Sequence, residues 1–178
     1  MDTIIKENHL SKTEHQKLEE MLYDQWFPWC FIPAQVVPKE EQEKKTRNYS
    51  TPALDDWHLT HHASDAQTGQ TTYLDDFDHL VSSVNQHGQP TVFRVKINLL
   101  PYCGTATESG FHVDMEEIEG LKTSIYYVNS SNGYTELEDG TKVDCVANRL
   151  VTFDGRMKHN AVRQTDTKQR IVVNICWT

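Results

Sequence analysis

The run RIVVNICW at positions 170–177 constrains the fold more than any other segment. Successive side chains of a β-strand point to opposite faces. Ile171, Val173, Ile175 and Trp177 then share one wholly apolar face, while Arg170, Val172, Asn174 and Cys176 share the other. Such a strand needs a hydrophobic layer on one side and a partly polar interior on the other. A barrel-like interior that binds something polar meets both demands. The chain from residue 91 onward agrees. TVFRVKINLL places Val95, Ile97 and Leu99 on one face and Arg94, Lys96 and Asn98 on the other. TSIYYVN (123–129) and RLVTF (149–153) have the β-branched and aromatic composition of strands. Asn132-Gly133 and Asp139-Gly140 are turn dipeptides and predict consecutive hairpins. These patterns predict a mainly β, α+β fold of sandwich or jelly-roll type with flanking helices.

The N-terminal half reads differently. Ser11 followed by Glu14 is a capping box, and it predicts a helix over Ser11 to Asp24 with Leu18, Met21 and Leu22 on one stripe. A second helix is expected over 73–86. Trp26, Phe27 and Trp29 are expected in the core, and His58, His61 and His62 on a surface loop. Val37 to Thr72 reads as irregular chain, a candidate lid together with 103–110. The whole, 1–178, is expected to be one domain, with about 1–90 as support and about 91–178 as the β core.

Composition excludes several functions. Seventeen basic against 26 acidic residues give a net charge of −9, which argues against a nucleic-acid partner. No apolar run reaches the length of a membrane span, and the first residues lack a secretory signal, so a cytoplasmic location is expected. Cys30, Cys103, Cys145 and Cys176 form no CxxC and are expected as buried, reduced thiols.

The chemistry begins at His112-Val113-Asp114. Residues i and i+2 of a strand face the same side, so this imidazole and carboxylate can grip one ion. With 9 His and 26 Asp plus Glu in 178 residues, chance alone supplies about one His-x-Asp/Glu match, so the motif needs company. His159 supplies it, directly after the strand RLVTFDG. Two His and one carboxylate with open positions form the facial triad of non-haem Fe(II) oxygenases. Arg170, eleven residues beyond His159, is suited to hold a carboxylate with two parallel hydrogen bonds.

In this ordered set the chain resembles the 2-oxoglutarate- and Fe(II)-dependent dioxygenases, in particular their prolyl-4-hydroxylase-like branch. The set comprises Tyr102, FHVD (111–114), SIYYVN (124–129), NGYTELEDG (132–140), NRLVTFDG (148–155), His159 and Arg170. The N-terminal part is also similar to small phage and marine bacterial members. The resemblance implies a double-stranded β-helix, cupin-like, with iron held by His112, Asp114 and His159. It implies 2-oxoglutarate as co-substrate, its far carboxylate held by Arg170 and Tyr127. By the same resemblance Tyr102 aligns with a second co-substrate contact, with Asn98 a rival for that role. It also implies consumption of O2 and hydroxylation of a C–H bond, on proline or a prolyl residue, another amino acid or a small metabolite. Val172 stands where many relatives carry serine, and the distal His-to-Arg spacing is longer than theirs by one or two residues. Two other readings remain open at this point: a non-catalytic jelly-roll or cupin-like binding protein, and a zinc hydrolase using the same triad. Oligomeric state is not legible.

Overall fold

The structure, a computed structural model, describes residues 2–32, 57–85, 88–115 and 118–178. Among the described residues eleven strands form two antiparallel sheets. The large sheet contains β1 (Ile4–Lys6), β2 (Cys30–Ile32), β3 (His58–Asp65), β4 (Gln70–Thr71), β5 (Val92–Pro101), β6 (Lys122–Tyr127), β9 (Arg149–Asp154) and β11 (Gln169–Trp177). Their order is β1-β9-β6-β11-β5-β3-β2, with β4 paired to β3. The small sheet is β10 (His159–Val162), β7 (Tyr134–Leu137) and β8 (Lys142–Asp144), in that order. This is the expected jelly roll, a double-stranded β-helix.

The two faces of β11 divide as its alternation requires. Ile171, Val173, Ile175 and Trp177 lie in the main core, with Val95, Ile97 and Leu99 from β5. Helix α1 (Lys12–Tyr23) covers this face through Leu18 and Leu22. Ser11 caps α1, accepting from the Glu14 amide while the Glu14 carboxylate accepts from the Ser11 amide at 3.0 Å. The second helix is shorter than expected: a 3-10 turn, Leu74–Phe77, runs into α2 (Asp78–Ser83), and Phe77, Leu80 and Val84 enter the same core. A second core lies between the sheets and includes Ile125, Tyr127, Leu137, Val151, Phe153 and Val172. Tyr126 and Tyr127, adjacent on β6, point to opposite cores for the same period-two reason.

Several expectations are corrected. His58, His61 and His62 lie on β3 inside the large sheet, and His58 and His61 are buried. The chain Val37 to Thr72 is therefore not irregular throughout; its part from 37 to 56 lies outside the described residues. Trp26 is 82% exposed, whereas Phe27 is buried and Trp29 packs against the core. Cys30 is exposed and Cys103 half-buried, whereas Cys145 and Cys176 are buried as expected. Asp139-Gly140 does turn the β7–β8 hairpin, but Asn132-Gly133 makes none, because β6 and β7 belong to different sheets. Gly133 serves a close approach instead. A Cβ there would sit 2.8 Å from the Val162 carbonyl oxygen and 3.2 Å from Arg170 Cδ. No described helix is long and apolar enough to cross a membrane.

Candidate metal centre and co-substrate cavity

Between the sheets, at the polar face of β11 and β5, lies a cavity. Its lining includes Lys96, Asn98 and Leu100 from β5, Arg170, Val172 and Asn174 from β11, and His58 from β3. The small sheet contributes Thr135, His159 and Ala161, and the segment before β6 contributes His112 and Asp114.

His112, Asp114 and His159 come together here. Their potential ligand atoms all lie within 4.8 Å of one another. His112 and His159 are joined by two main-chain hydrogen bonds, of 3.0 and 2.9 Å, an isolated antiparallel bridge between the strand β10 and the loop carrying His-x-Asp. His112 Nδ1 donates to the Gly110 carbonyl at 3.0 Å, which leaves Nε2 as the acceptor nitrogen. His159 Nε2 lies 3.6 Å from Asp114 Oδ2. Burial pulls the His159 pKa down to about 4 despite the attraction of Asp114, so its imidazole is neutral near pH 7. Its Nδ1 is buried without a hydrogen-bond partner.

Asp114 is held from the opposite side by residues whose roles the sequence does not announce. Arg94 Nη2 donates to its Oδ1 at 2.6 Å and Arg94 Nη1 to its main-chain oxygen at 2.8 Å. Asn174 Nδ2 donates to Oδ2 at 3.3 Å. Burial by itself would raise the Asp114 pKa; His159, Arg94, His112 and Lys96 outweigh it and hold the carboxyl well below the usual carboxylate range. Two imidazoles and an ionised carboxylate, with His112 and Asp114 each held by a further partner, suit a divalent first-row ion such as Fe(II).

Arg170 occupies the other end of the cavity. It lies four residues before Asn174 on the same face of β11, roughly 13 Å along the strand. Its side chain is 1% exposed, and no protein carboxylate lies within ion-pair distance among the described residues. Nη2 donates to Thr135 Oγ1 at 3.1 Å, Nη1 reaches the Val162 carbonyl at 3.4 Å, and Nε has no partner. A buried guanidinium without an anion is poised for an anionic ligand. Tyr127 is fully buried behind this point and does not line the cavity. Its hydroxyl donates to Thr135 Oγ1 at 2.8 Å, and burial pushes its pKa up to about 12. Asn98 lines the wall. Tyr102, just past β5, is 54% exposed and does not line the cavity.

Sequence reasoning missed Thr135 and Arg94. Arg94 stands on the polar face of β5, and Thr135 lies between the two turn dipeptides, where the sequence gives it no distinguishing signal. The segment 103–110 is pinned to β10, with the Ser109 amide donating to the Ala161 carbonyl and the Arg163 amide to the Thr107 carbonyl.

Solved structures similar in fold include prolyl hydroxylases and a 2OG-Fe(II) oxygenase family protein. A prolyl hydroxylase from Trichoplax adhaerens, solved with a hypoxia inducible factor oxygen degradation domain peptide fragment, matches with a TM-score of 0.63 at 18% identity, covering 98% of this chain and 82% of that one. A 2OG-Fe(II) oxygenase family oxidoreductase from Burkholderia pseudomallei matches with a TM-score of 0.64 at 9% identity, over 99% and 85% of the two chains. A prolyl-4-hydroxylase from Pseudomonas putida gives 0.56 at 15% identity, over 98% and 91%. At these identities the likeness is one of fold. No family model matches the sequence, and no curated protein matches it.

Proposed function

We propose that the protein is an Fe(II)- and 2-oxoglutarate-dependent oxygenase that hydroxylates a C–H bond of a small molecule or peptide. One observation carries this reading: a single cavity has a His-Asp-His cluster at one end and a buried, anion-free arginine at the other. The balanced reaction is R–H + 2-oxoglutarate + O2 → R–OH + succinate + CO2. Iron held by His112, Asp114 and His159 would supply the redox chemistry; the rest is positioning.

Arg170 receives the distal carboxylate of the co-substrate. Thr135 completes that seat. Its oxygen accepts from Tyr127 and from Arg170, which occupies both lone pairs and leaves its own O–H to donate to the ligand. Tyr127 thus acts through Thr135. Arg94 and Asn174 hold Asp114 ionised and oriented. The prolyl hydroxylases among the structures of this fold support an amino acid or peptidyl residue, proline among them, as the substrate class.

The zinc-hydrolase reading leaves Arg170 without a use, and the non-catalytic reading leaves the complete cluster without one. Anaerobic titration of Fe(II) with 2-oxoglutarate separates all three. A visible charge-transfer band, followed by succinate release on admitting O2, is the expected result. Absence of the band in metal-loaded protein overturns the reading, and a band without succinate release indicates binding alone.

A further inference from the structure

The cavity contains a second cation, whose charge helps to keep Asp114 ionised but which makes a direct pair with no carboxylate among the described residues. Lys96 lines it from β5, directly across the ladder from Asn174 and beside His62 of β3. Among the described residues the Lys96 ammonium makes no hydrogen bond and no ion pair. The nearby carboxylates are already engaged. Asp114 is paired with Arg94 at 2.6 Å, and Asp65 accepts from His62 and from the Gln67 and Thr68 amides. Burial and the neighbouring Arg94 lower the Lys96 pKa, the signature of an ammonium short of counter-charge. On the same wall His58 is 1% exposed, and its Nδ1 has no hydrogen-bond partner.

The charges can be counted. 2-Oxoglutarate brings two carboxylates; one goes to the metal end and the other to Arg170. That leaves Lys96 unpaired, and a half-buried ammonium and a buried, unpartnered imidazole nitrogen lining one cavity are costly unless a ligand satisfies them. We infer that Lys96, on the cavity wall it shares with His58, is the anchor for a carboxylate carried by the oxidised substrate. The substrate class is therefore a small molecule with a free carboxylate, such as an unblocked amino acid, rather than an internal residue of a peptide chain. This rests on the oxygenase reading and narrows its substrate. Lys96 is suited to the task as a compact point charge with rotatable donors.

The test uses the full chain with Fe(II) and 2-oxoglutarate under anaerobic conditions. Calorimetry compares the free amino acids and small hydroxy acids, each against its primary amide, and a blocked prolyl tripeptide. In the parent protein at least one carboxylate binds, and its amide binds about thirtyfold or more weaker, as for loss of one partner of a buried charge pair. K96M removes that preference and weakens the 2-oxoglutarate titration of the charge-transfer band far less than R170A does, because the distal carboxylate belongs to Arg170. K96R, which keeps the charge, retains the preference and guards against a merely misfolded K96M. Three results overturn the inference: no carboxylate preferred over its amide, binding of the blocked peptide in place of free acids, or a 2-oxoglutarate affinity that falls with K96M as steeply as with R170A. Loss of the band in the parent protein condemns the oxygenase reading instead, and the carboxylate–amide comparison is still read by calorimetry without iron.

Discussion

His112 and His159 exchange both of their main-chain hydrogen bonds, at 3.0 and 2.9 Å, and their rings lie 4.6 Å apart between centroids. The spacing of the two imidazoles is therefore set by backbone pairing rather than by side-chain packing. The segment before β6 is tied to β10 at the residues that carry the ligands. Asp114, two residues on, is fixed independently by Arg94 on β5. The segment that carries two of the ligands is thus tied to the small sheet at His112 and to the large sheet at Asp114. Such a frame keeps ligand positions when the ion leaves.

The Arg94–Asp114 pair should be the most sensitive contact in the site. Both side chains are largely buried, 14% and 7% exposed. Arg94→Met leaves the Asp114 carboxylate buried with reduced compensation, a loss on the order of 3–5 kcal/mol. As a partner that orients a ligand, Arg94 should also contribute about ten- to a hundredfold to metal affinity. Urea unfolding measures the first effect and Fe(II) titration the second. A variant with parental stability and parental iron affinity would show that Asn174 alone suffices to hold Asp114.

At the co-substrate end the two hydroxyls should differ in the order their contacts dictate. Arg170→Ala removes the one cation facing the distal carboxylate, a loss of roughly 3–5 kcal/mol, about a hundred- to a thousandfold in 2-oxoglutarate affinity. Thr135→Val removes an acceptor of two hydrogen bonds and the donor aimed at the ligand, and should rank next. Tyr127→Phe removes one hydrogen bond between neutral hydroxyls, about 0.5–1.5 kcal/mol. Titrating the charge-transfer band gives all three affinities on one scale. Tyr127→Phe exceeding Thr135→Val would mean that the tyrosine touches the ligand itself.

The parts of this arrangement visible in the sequence are those with a local signature. The capping box at Ser11 and Glu14 is a pattern four residues long, and α1 follows from it. The two faces of β11 are visible because one is uniformly apolar. Strand β3 is not, since HLTHHASD contains few apolar residues. Its buried positions include His58, Thr60 and His61, polar groups with cavity or hydrogen-bond roles, so the hydrophobic alternation that identifies strands is missing. Asn132-Gly133 misleads for a related reason. The dipeptide is a hairpin signal only when its flanking strands pair, and pairing partners across two sheets are not encoded locally. Arg94 lay on the polar face of β5 in plain view, but nothing in the sequence tied it to a carboxylate twenty positions away.

Gly133→Ala tests the close approach directly. The new methyl would meet the Val162 oxygen at 2.8 Å and the Gln164 nitrogen at 3.0 Å, both backbone atoms, before it reached Arg170 Cδ at 3.2 Å. Neither main-chain atom can yield without moving the end of β10. The expected cost is about 1–3 kcal/mol, typical of an overpacked site, together with a weaker hold on 2-oxoglutarate because Arg170 and its Val162 contact shift. Thermal unfolding and the 2-oxoglutarate titration check the two parts. Parental values for both would show that the crossover has room to spare.

His58 gives the pH dependence a definite sign. Burial, and after it the charges of Lys96 and Arg163, hold its pKa at about 3 against an ordinary 6.5. The folded state therefore refuses a proton that the unfolded chain accepts. Stability from this group is complete above about pH 6.5 and drains away as pH falls towards 3, because the unfolded state binds more protons throughout that window. Each pH unit is worth about 1.4 kcal/mol, so the step from pH 6.5 to 5 should cost the ligand-free protein roughly 2 kcal/mol through His58. Urea unfolding of the ligand-free protein at the two pH values measures the loss. His58→Leu should make the slope shallower by that amount, since leucine has nothing to protonate in either state. An undiminished slope in the variant would place the titration elsewhere, with His159, held at about 4 by its own burial, the group to examine.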